Sequence, residues 1–159
     1  MDGVRAYWDE IRLVTRHGTR LHCPQWFVEG FPKNVKLDGE LWMGRGTTYE
    51  NLNRIINSKN GDWSVVGYFI FDLPSTPGTY EIRMKRMDEL SLPSHVYVVK
   101  NTERTGIQHL YEHLEAIQEQ KGEGIMLRKP QSPYTIGQTS SLLKVKVESV
   151  QVAFIPPAF

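Results

Sequence analysis

The sequence feature that most constrains the fold is residues 64–73, SVVGYFIFDL, a β-branched and aromatic run that is apolar almost throughout. It ends at a turn-forming segment over residues 74–78, so it is far shorter than the roughly 20 apolar residues that span a bilayer. This composition predicts a strand, and a strand without polar alternation is expected to be buried on both faces. The chain must therefore supply further strands and covering layers.

Shorter periodic segments predict the rest of the fold. Residues 4–8 and 11–15 flank a polar pair and predict a hairpin. Residues 35–42, VKLDGELW, predict a strand in which Gly39 marks a close approach of another backbone. The remaining predicted elements are a short helical segment after Pro24, a helix capped within 47–50, a charged surface helix over 80–90, an amphipathic helix over 106–120 and strands over 96–99, 124–128 and 142–147. This mixed order of elements indicates the α+β class.

Composition limits the classes of function only weakly. The net charge of +1 gives no general attraction for nucleic acid, so any phosphate-binding face must come from local basic clusters. One such cluster, residues 83–86, is interpreted as a solvated helix face. Cys23 is the only cysteine, which excludes an internal disulfide and a Cys-based zinc cluster.

Charged residues lie inside several of the predicted strands, where an unpaired charge is costly. They are Asp38, Glu40, Asp72, Glu123, Lys144 and Lys146. Because Lys144 and Lys146 are two residues apart on a strand, their side chains leave from the same face, as phosphate binding requires. Two interpretations stay open: a site for a polyanion and its metal ion, or ion pairs among these residues.

Five segments resemble, in order and approximate spacing, the motifs of ATP-dependent DNA ligases and related covalent nucleotidyltransferases. The segments are DGVRA, LDGEL, VGYFIFD, EGIMLRKP and SLLKVK. The text between them is most similar to the minimal bacterial ligases. The resemblance implies a single adenylation domain over residues 1–159, with an α+β, ATP-grasp-like nucleotidyltransferase core of two antiparallel sheets and flanking helices.

In this family a lysine attacks the α-phosphate of ATP, and the resulting AMP passes to a 5′-phosphate at a nick. The resemblance implies a nucleotide site whose cofactors are ATP or AMP and Mg²⁺, and a nucleic-acid partner such as nicked DNA. The residues carried over to the nucleotide site are Asp2, Gly3, Arg5, Glu40, Phe71, Glu123, Lys144 and Lys146. Among them, Glu40 is expected to hold the ribose, Phe71 to stack on the adenine and Glu123 to organise the metal ion. Arg16 matches an arginine that contacts the nick 5′-phosphate.

The sequence departs from the family pattern at the nucleophile. The pattern places lysine two residues before the aspartate of the D-G pair, whereas here Met1 precedes Asp2 and the first lysine is Lys33. Gly137-Gln138-Thr139 stands where relatives commonly have G-R-S. The OB-fold domain that the family pattern places after the last motif is not expected within residues 1–159. The apolar C-terminal stretch VAFIPPAF is expected to need cover from a protein partner or from self-association. A membrane association is not expected, and an intracellular location, cytoplasm or nucleus, is favoured.

Three hypotheses follow from these departures. The preferred one is a degenerate ligase adenylation domain, with a retained nucleotide pocket and no self-adenylation. The second is a part of an active ligase whose lysine comes from upstream sequence or from a partner. The third is a non-catalytic interaction module that kept the fold.

Overall fold

The computed structural model describes residues 3–146, which fall into two compact units divided between Val99 and Lys100. The single domain implied by the resemblance stays a prediction, and each unit is described by itself below. No helix among the described residues combines the length and the apolar character that crossing a membrane requires.

The first unit is built on a five-stranded sheet in the order β2-β1-β3-β4-β5. Its strands are β1 (Val4–Trp8), β2 (Leu13–Thr15), β3 (Leu37–Trp42), β4 (Gly67–Asp72) and β5 (Val96–Val98). The predicted hairpin is confirmed, because β1 and β2 pair antiparallel, with Ala6 opposite Thr15. The sheet is antiparallel throughout except at β4–β5, which pair parallel.

Helices cover one side of this sheet. They are α1 (Gln25–Val28), α2 (Tyr49–Ile56) and α3 (Tyr80–Asp88), with a 3₁₀ turn at Trp63–Val65. The predicted cap of α2 is confirmed: the Thr48 side chain accepts a hydrogen bond from the Asn51 amide at 3.3 Å. This cap directs the apolar stripe of α2 inward, and Leu52 and Ile56 are buried.

The core lies on one face of the sheet, where alternate residues of β1, β3 and β4 point. Tyr68 is fully buried there, and its hydroxyl lies 3.0 Å from the carbonyl of Ala6 and 3.1 Å from that of Leu37. Burial, and then the nearby charge of Asp38, raises the pKa of Tyr68 well above its ordinary value. The phenol is therefore a permanent donor that links three strands.

The prediction that residues 64–73 are buried on both faces is wrong. Within β4 only alternate residues, Tyr68, Ile70 and Asp72, are buried, while Gly67, Phe69 and Phe71 are partly exposed. The strand lies inside the sheet, but helices pack against one face only. The other face is open, and its aromatic residues gave the sequence its continuous apolar appearance.

Gly39 confirms the predicted close approach between strands. A β-carbon at this position would lie 2.7 Å from the carbonyl oxygen of Phe69 and 2.7 Å from the ring of Tyr68. The register of β3 against β4 also shifts between Asp38 and Gly39. Glycine is therefore required by space on the partner strand.

The second unit contains one helix and a two-stranded sheet among its described residues. The helix is α4 (Ile107–Glu119), and β6 (Gly124–Arg128) pairs antiparallel with β7 (Leu142–Lys146). The predicted α+β class with two sheets and flanking helices is confirmed. The apolar C-terminal stretch, which was expected to attract a partner, lies outside the described residues.

Candidate functional site

The open face of the first-unit sheet carries most of the site residues predicted from the N-terminal half. The strand registers place Arg5 opposite Glu40, Glu40 opposite Phe69 and Phe69 opposite Tyr97. Side chains opposite one another on one face are close neighbours. These four side chains therefore form one row across β1, β3, β4 and β5.

Arg5 is held on this face by a two-point ion pair with Asp38. The Nε and Nη2 groups of Arg5 donate to the two carboxylate oxygens of Asp38 at 3.1 and 2.7 Å. The Asp38 side chain is 1% exposed, whereas that of Arg5 is 43% exposed. The ion-pair interpretation therefore holds for Asp38, and the pair fixes the orientation of a guanidinium that still reaches the surface.

Phe71 and Phe69 both lie on the open face but differ in their aromatic neighbours. The ring of Phe69 stacks on Tyr97, with centroids 4.8 Å apart, and meets Trp42 edge-on at 5.3 Å. Phe71 is approached by the guanidinium of Arg5, 5.6 Å from its ring centroid. The structure thus brings Arg5, Glu40 and Phe71 to the same face, and their roles in nucleotide binding stay predictions.

The start of the described chain is anchored to Glu40. The amide of Gly3 donates to Glu40 Oε1 at 2.8 Å, and a β-carbon on Gly3 would collide with the carbonyl of Leu41. Gly3 is therefore needed for the close passage of the backbone beside β3. Asp2, also predicted to bind nucleotide, lies outside the described residues.

Arg16 does not lie on the open face. It is on the exposed turn that follows the edge strand β2, where Gly18 adopts a φ of +79°. Its Nε donates to Nε2 of His17 at 3.0 Å. This turn is exposed, and the contact of Arg16 with nucleic acid stays a prediction.

The sequence did not predict a buried arginine beside Asp72, the last residue of β4. Arg83 of α3, interpreted above as part of a solvated face, is fully buried, and its Nε and Nη2 donate to Asp72 at 2.6 and 3.2 Å. Its Nη1 also donates to the carbonyl of Gly78 at 2.9 Å. Asp72 directly follows Phe71, so Arg83 fixes the end of the strand that carries it. Arg83 lies four residues before the apolar Met87, and residues at this spacing share one face of a helix. This spacing is the sequence signal for the inner face of α3, where both residues are buried.

The second unit brings together the three other predicted residues. Lys144 Nζ lies 2.6 Å from Glu123 Oε2, and Lys146 Nζ lies 3.1 Å from Glu123 Oε1. The hydrogen bond from Lys144, assisted by Lys146, lowers the pKa of Glu123 below its ordinary value of 4.5. Met126, which is 52% exposed, pairs in register with Lys144. Two ammonium groups thus converge on the two oxygens of one carboxylate.

Glu123 fits a magnesium ion only in company with phosphate. The described residues contain no cluster of three side chains able to hold a metal ion. Magnesium usually binds one or two carboxylates together with water and substrate phosphates. Glu123 supplies one carboxylate, whose oxygens are occupied by Lys144 and Lys146. Nucleotide phosphates would give Lys144 and Lys146 another anion to bind. Glu123 could then serve as the one carboxylate ligand of a magnesium ion that is also bound by the phosphates.

Comparisons of sequence match most of the chain to one family. The family described as "ATP dependent DNA ligase domain" matches residues 1–146. The DNA ligase of Haemophilus influenzae is 33% identical over 150 residues, covering 92% of this chain and 55% of that protein. A SPbeta prophage-derived DNA ligase-like protein, LigB, of Bacillus subtilis is 26% identical over 156 residues, covering 87% of this chain and 56% of its own length. The chain therefore spans little more than half the length of these relatives.

Comparisons of structure give the same fold. A Lig E DNA ligase, studied for DNA binding with a minimal scaffold, superposes with a TM-score of 0.84 at 32% identity, over 92% of this chain and 59% of that one. Chlorella virus DNA ligase-adenylate gives a TM-score of 0.73 at 20% identity, over 92% of this chain and 58% of that one. At that lower identity the likeness supports the fold alone.

Proposed function

This chain belongs to the ATP-dependent DNA ligase domain family, and from that premise we propose that it binds an adenosine nucleotide as a ligase-type adenylation domain. Phe71 stacks on the adenine, Glu40 accepts from the ribose hydroxyls, and Lys144 and Lys146 bind the phosphates. Arg5, oriented by Asp38, contacts the ribose or the nick phosphate. Arg16 contacts the 5′-phosphate of nicked DNA.

The observation that carries this proposal is the convergence of Lys144 and Lys146 on Glu123. Their ammonium groups lie 2.6 and 3.1 Å from its two oxygens, so both cations already point at a single anionic position. A phosphate oxygen is an equivalent acceptor for a charged donor. The nucleotide phosphate would take the place of the carboxylate as the acceptor of both lysines. Glu123 is the residue that would hold a magnesium ion, and the ion would supply neutralisation of phosphate charge.

The proposal does not extend to self-adenylation by the printed chain. In the family the covalent step needs a deprotonated lysine aligned with the α-phosphate, in the slot two residues before the position of Asp2. The printed sequence has no lysine before Lys33. We therefore propose binding of ATP or AMP without formation of a lysyl-AMP adduct.

A second candidate function is a portion of an active DNA ligase. Its support is the 33% identity to the Haemophilus influenzae DNA ligase, together with the share of that protein, 55%, that this chain spans. In this case the lysine comes from sequence upstream of Met1 or from a partner.

Calorimetric titration of the chain with ATP and Mg²⁺ tests nucleotide binding. Saturable binding is expected, with Lys144→Ala and Phe71→Ala each weaker; the loss of aromatic stacking alone corresponds to about 1–3 kcal/mol. Lys100→Ala, which removes a charge from an exposed residue, is the matched control and should bind as the unsubstituted chain does. Absence of saturable heat in the unsubstituted chain would contradict the proposal.

Mass spectrometry after incubation with ATP and Mg²⁺ separates the two candidates. The polypeptide of residues 1–159 should gain no AMP adduct. A second version, extended by one lysine ahead of Met1, restores the family spacing before Asp2, and the same extension with alanine is its control. An adduct on the lysine version alone supports the second candidate. An adduct on the printed chain refutes the absence of self-adenylation.

A further inference from the structure

A basic cleft lies on the first unit, between the segment that follows β2 and the end of α2. It encloses about 320 Å³ and is lined by residues 20–22 on one side and 56–59 on the other. Leu21 and Ile56, exposed by only 6% and 4%, belong to the hydrophobic core and form its floor. Neither segment belongs to the motifs assigned to the nucleotide.

Backbone hydrogen bonds fix both walls of the cleft. Arg20 forms a β-bridge with Val14, and the amide of Leu21 donates to the carbonyl of Leu13 at 2.9 Å. On the other side Asn57 ends α2, with its amide donating to the carbonyl of Asn53. The two segments are therefore held in place by the edge of the sheet and by the end of a helix.

The polar lining of the cleft is suited to an anion. Its ionisable residues are Arg20, His22 and Lys59, and no carboxylate lines it. Within the part of the chain that the structure describes, Arg20 and Lys59 form no ion pair. Asn57 and Ser58 lie on the same wall as Lys59 and are already hydrogen-bonded, with Asn57 Nδ2 donating to the carbonyl of Asn53 at 2.9 Å and Ser58 Oγ accepting from the amide of Asn60 at 3.2 Å. Two cations without an acidic partner, one on each wall of the cleft, favour a phosphate ligand.

The position of the cleft favours a polymer over a small anion. Its cations are exposed, and Arg20 stands just beyond the turn that carries Arg16, where the amide of Thr15 donates to the carbonyl of Thr19. Duplex DNA carries one charge per roughly 1.7 Å of its axis, so neighbouring cations meet successive phosphates. Resting on the proposed function, we propose that this cleft holds a backbone phosphate of duplex DNA, separate from the nick phosphate assigned to Arg16.

Fluorescence anisotropy with a labelled, nicked, 5′-phosphorylated duplex tests the proposal as a function of salt. In the variant Arg20→Ala/Lys59→Ala, DNA binding should weaken several-fold. The slope of log affinity against log salt should decrease in magnitude by about 1, the amount expected for one lost phosphate contact. The matched control, Lys85→Ala/Arg104→Ala, removes the same charge from other exposed residues and should keep the slope.

The other outcomes are distinguishable. An unchanged slope in the cleft variant, an equal loss in the control, or no DNA binding by the unsubstituted chain each overturns the cleft proposal. Calorimetry with ATP on the same cleft variant should give unchanged affinity, and a loss there overturns the separation of the cleft from the nucleotide site. A third outcome concerns inorganic phosphate. If the unsubstituted chain binds phosphate saturably, and the cleft variant loses this binding but keeps the salt slope of DNA binding, the cleft is a site for a small anion and the DNA proposal is overturned. If the unsubstituted chain does not bind ATP, but the cleft variant still shows the expected decrease in the salt slope of DNA binding, the proposed function alone is contradicted.

Discussion

At the scale of single residues, charge pairing decides which groups are structural and which remain accessible to a ligand. Asp72 and Arg83 are both fully buried and satisfy each other, whereas Arg5, paired with the buried Asp38, keeps 43% of its side chain exposed. Glu123 and its two lysines are exposed in part as well. The first pair fixes a strand end, and the others present charge to solvent.

Removal of Arg83 should be strongly destabilising. Arg83→Met leaves the buried carboxylate of Asp72 without its ion partner. Removing one partner of a buried ion pair lowers the free energy of unfolding by about 3–5 kcal/mol. The double substitution Asp72→Leu/Arg83→Met removes both charges and should recover most of that loss. Lys85→Met on the exposed side of α3 is the control, expected within about 0.5 kcal/mol of the unsubstituted chain. Urea unfolding measures all three, and equal stabilities for Arg83→Met and Lys85→Met would contradict this account.

At the scale of elements, packing on only one side gives the two faces of the first-unit sheet different roles. The helices cover the face that carries Tyr68 and Ile70, whereas Phe69 and Phe71 line the open one. In the second unit, pairing of β6 with β7 aligns Glu123 with lysines from the neighbouring strand. Strand alternation thus presents the candidate site residues, and the helices provide the core.

The ion cluster at β6–β7 should make the second unit sensitive to acid. The pKa of Glu123 is lowered in the folded chain, so its stabilisation is present above the ordinary value of 4.5 and is lost as the pH falls through the lower folded value. The variant Glu123→Gln lacks the titrating group and should lose this part of the pH dependence. Backbone amide shifts of β6 and β7, followed by NMR from neutral pH to below 4.5, measure the effect. Identical profiles for the two proteins would contradict it.

At the scale of the whole molecule, the near balance of charge makes nucleic-acid affinity depend on where the cations lie. The chain carries 19 lysines and arginines against 18 aspartates and glutamates, so its net field is weak. Positive charge is concentrated locally in the basic cleft, at Arg16 and at Lys144 and Lys146. Salt dependence of binding therefore reports on particular residues.

The printed chain should not seal nicks. Incubation with a 5′-phosphorylated nicked duplex, ATP and Mg²⁺ should give no ligated product on a denaturing gel, because the sequence has no lysine in the slot before Asp2. An active ATP-dependent ligase on the same substrate serves as the positive control. Product formed by the printed chain at enzyme-like rates would refute both this prediction and the proposed lack of self-adenylation.

The sequence by itself determined the class of fold and its strand and helix elements. Alternation, the Thr48 cap and the spacing of apolar residues are local signals, and they placed the hairpin, α2 and α4 correctly. The five ordered segments also predicted the family that the comparisons support. Such signals depend on residues near one another in the chain, so they can be read without tertiary structure.

Only the tertiary structure decided which apolar and charged residues face outward. Residues 64–73 appeared buried on both faces because an aromatic side chain on an open sheet face has the same composition as one in a core. Arg83 appeared solvated because its partner Asp72 is eleven residues away and on another element. Arg20 and Lys59 are 39 residues apart in the sequence, and only the folded chain brings them to the same cleft. Burial and pairing depend on contacts between distant segments, which composition and periodicity do not encode.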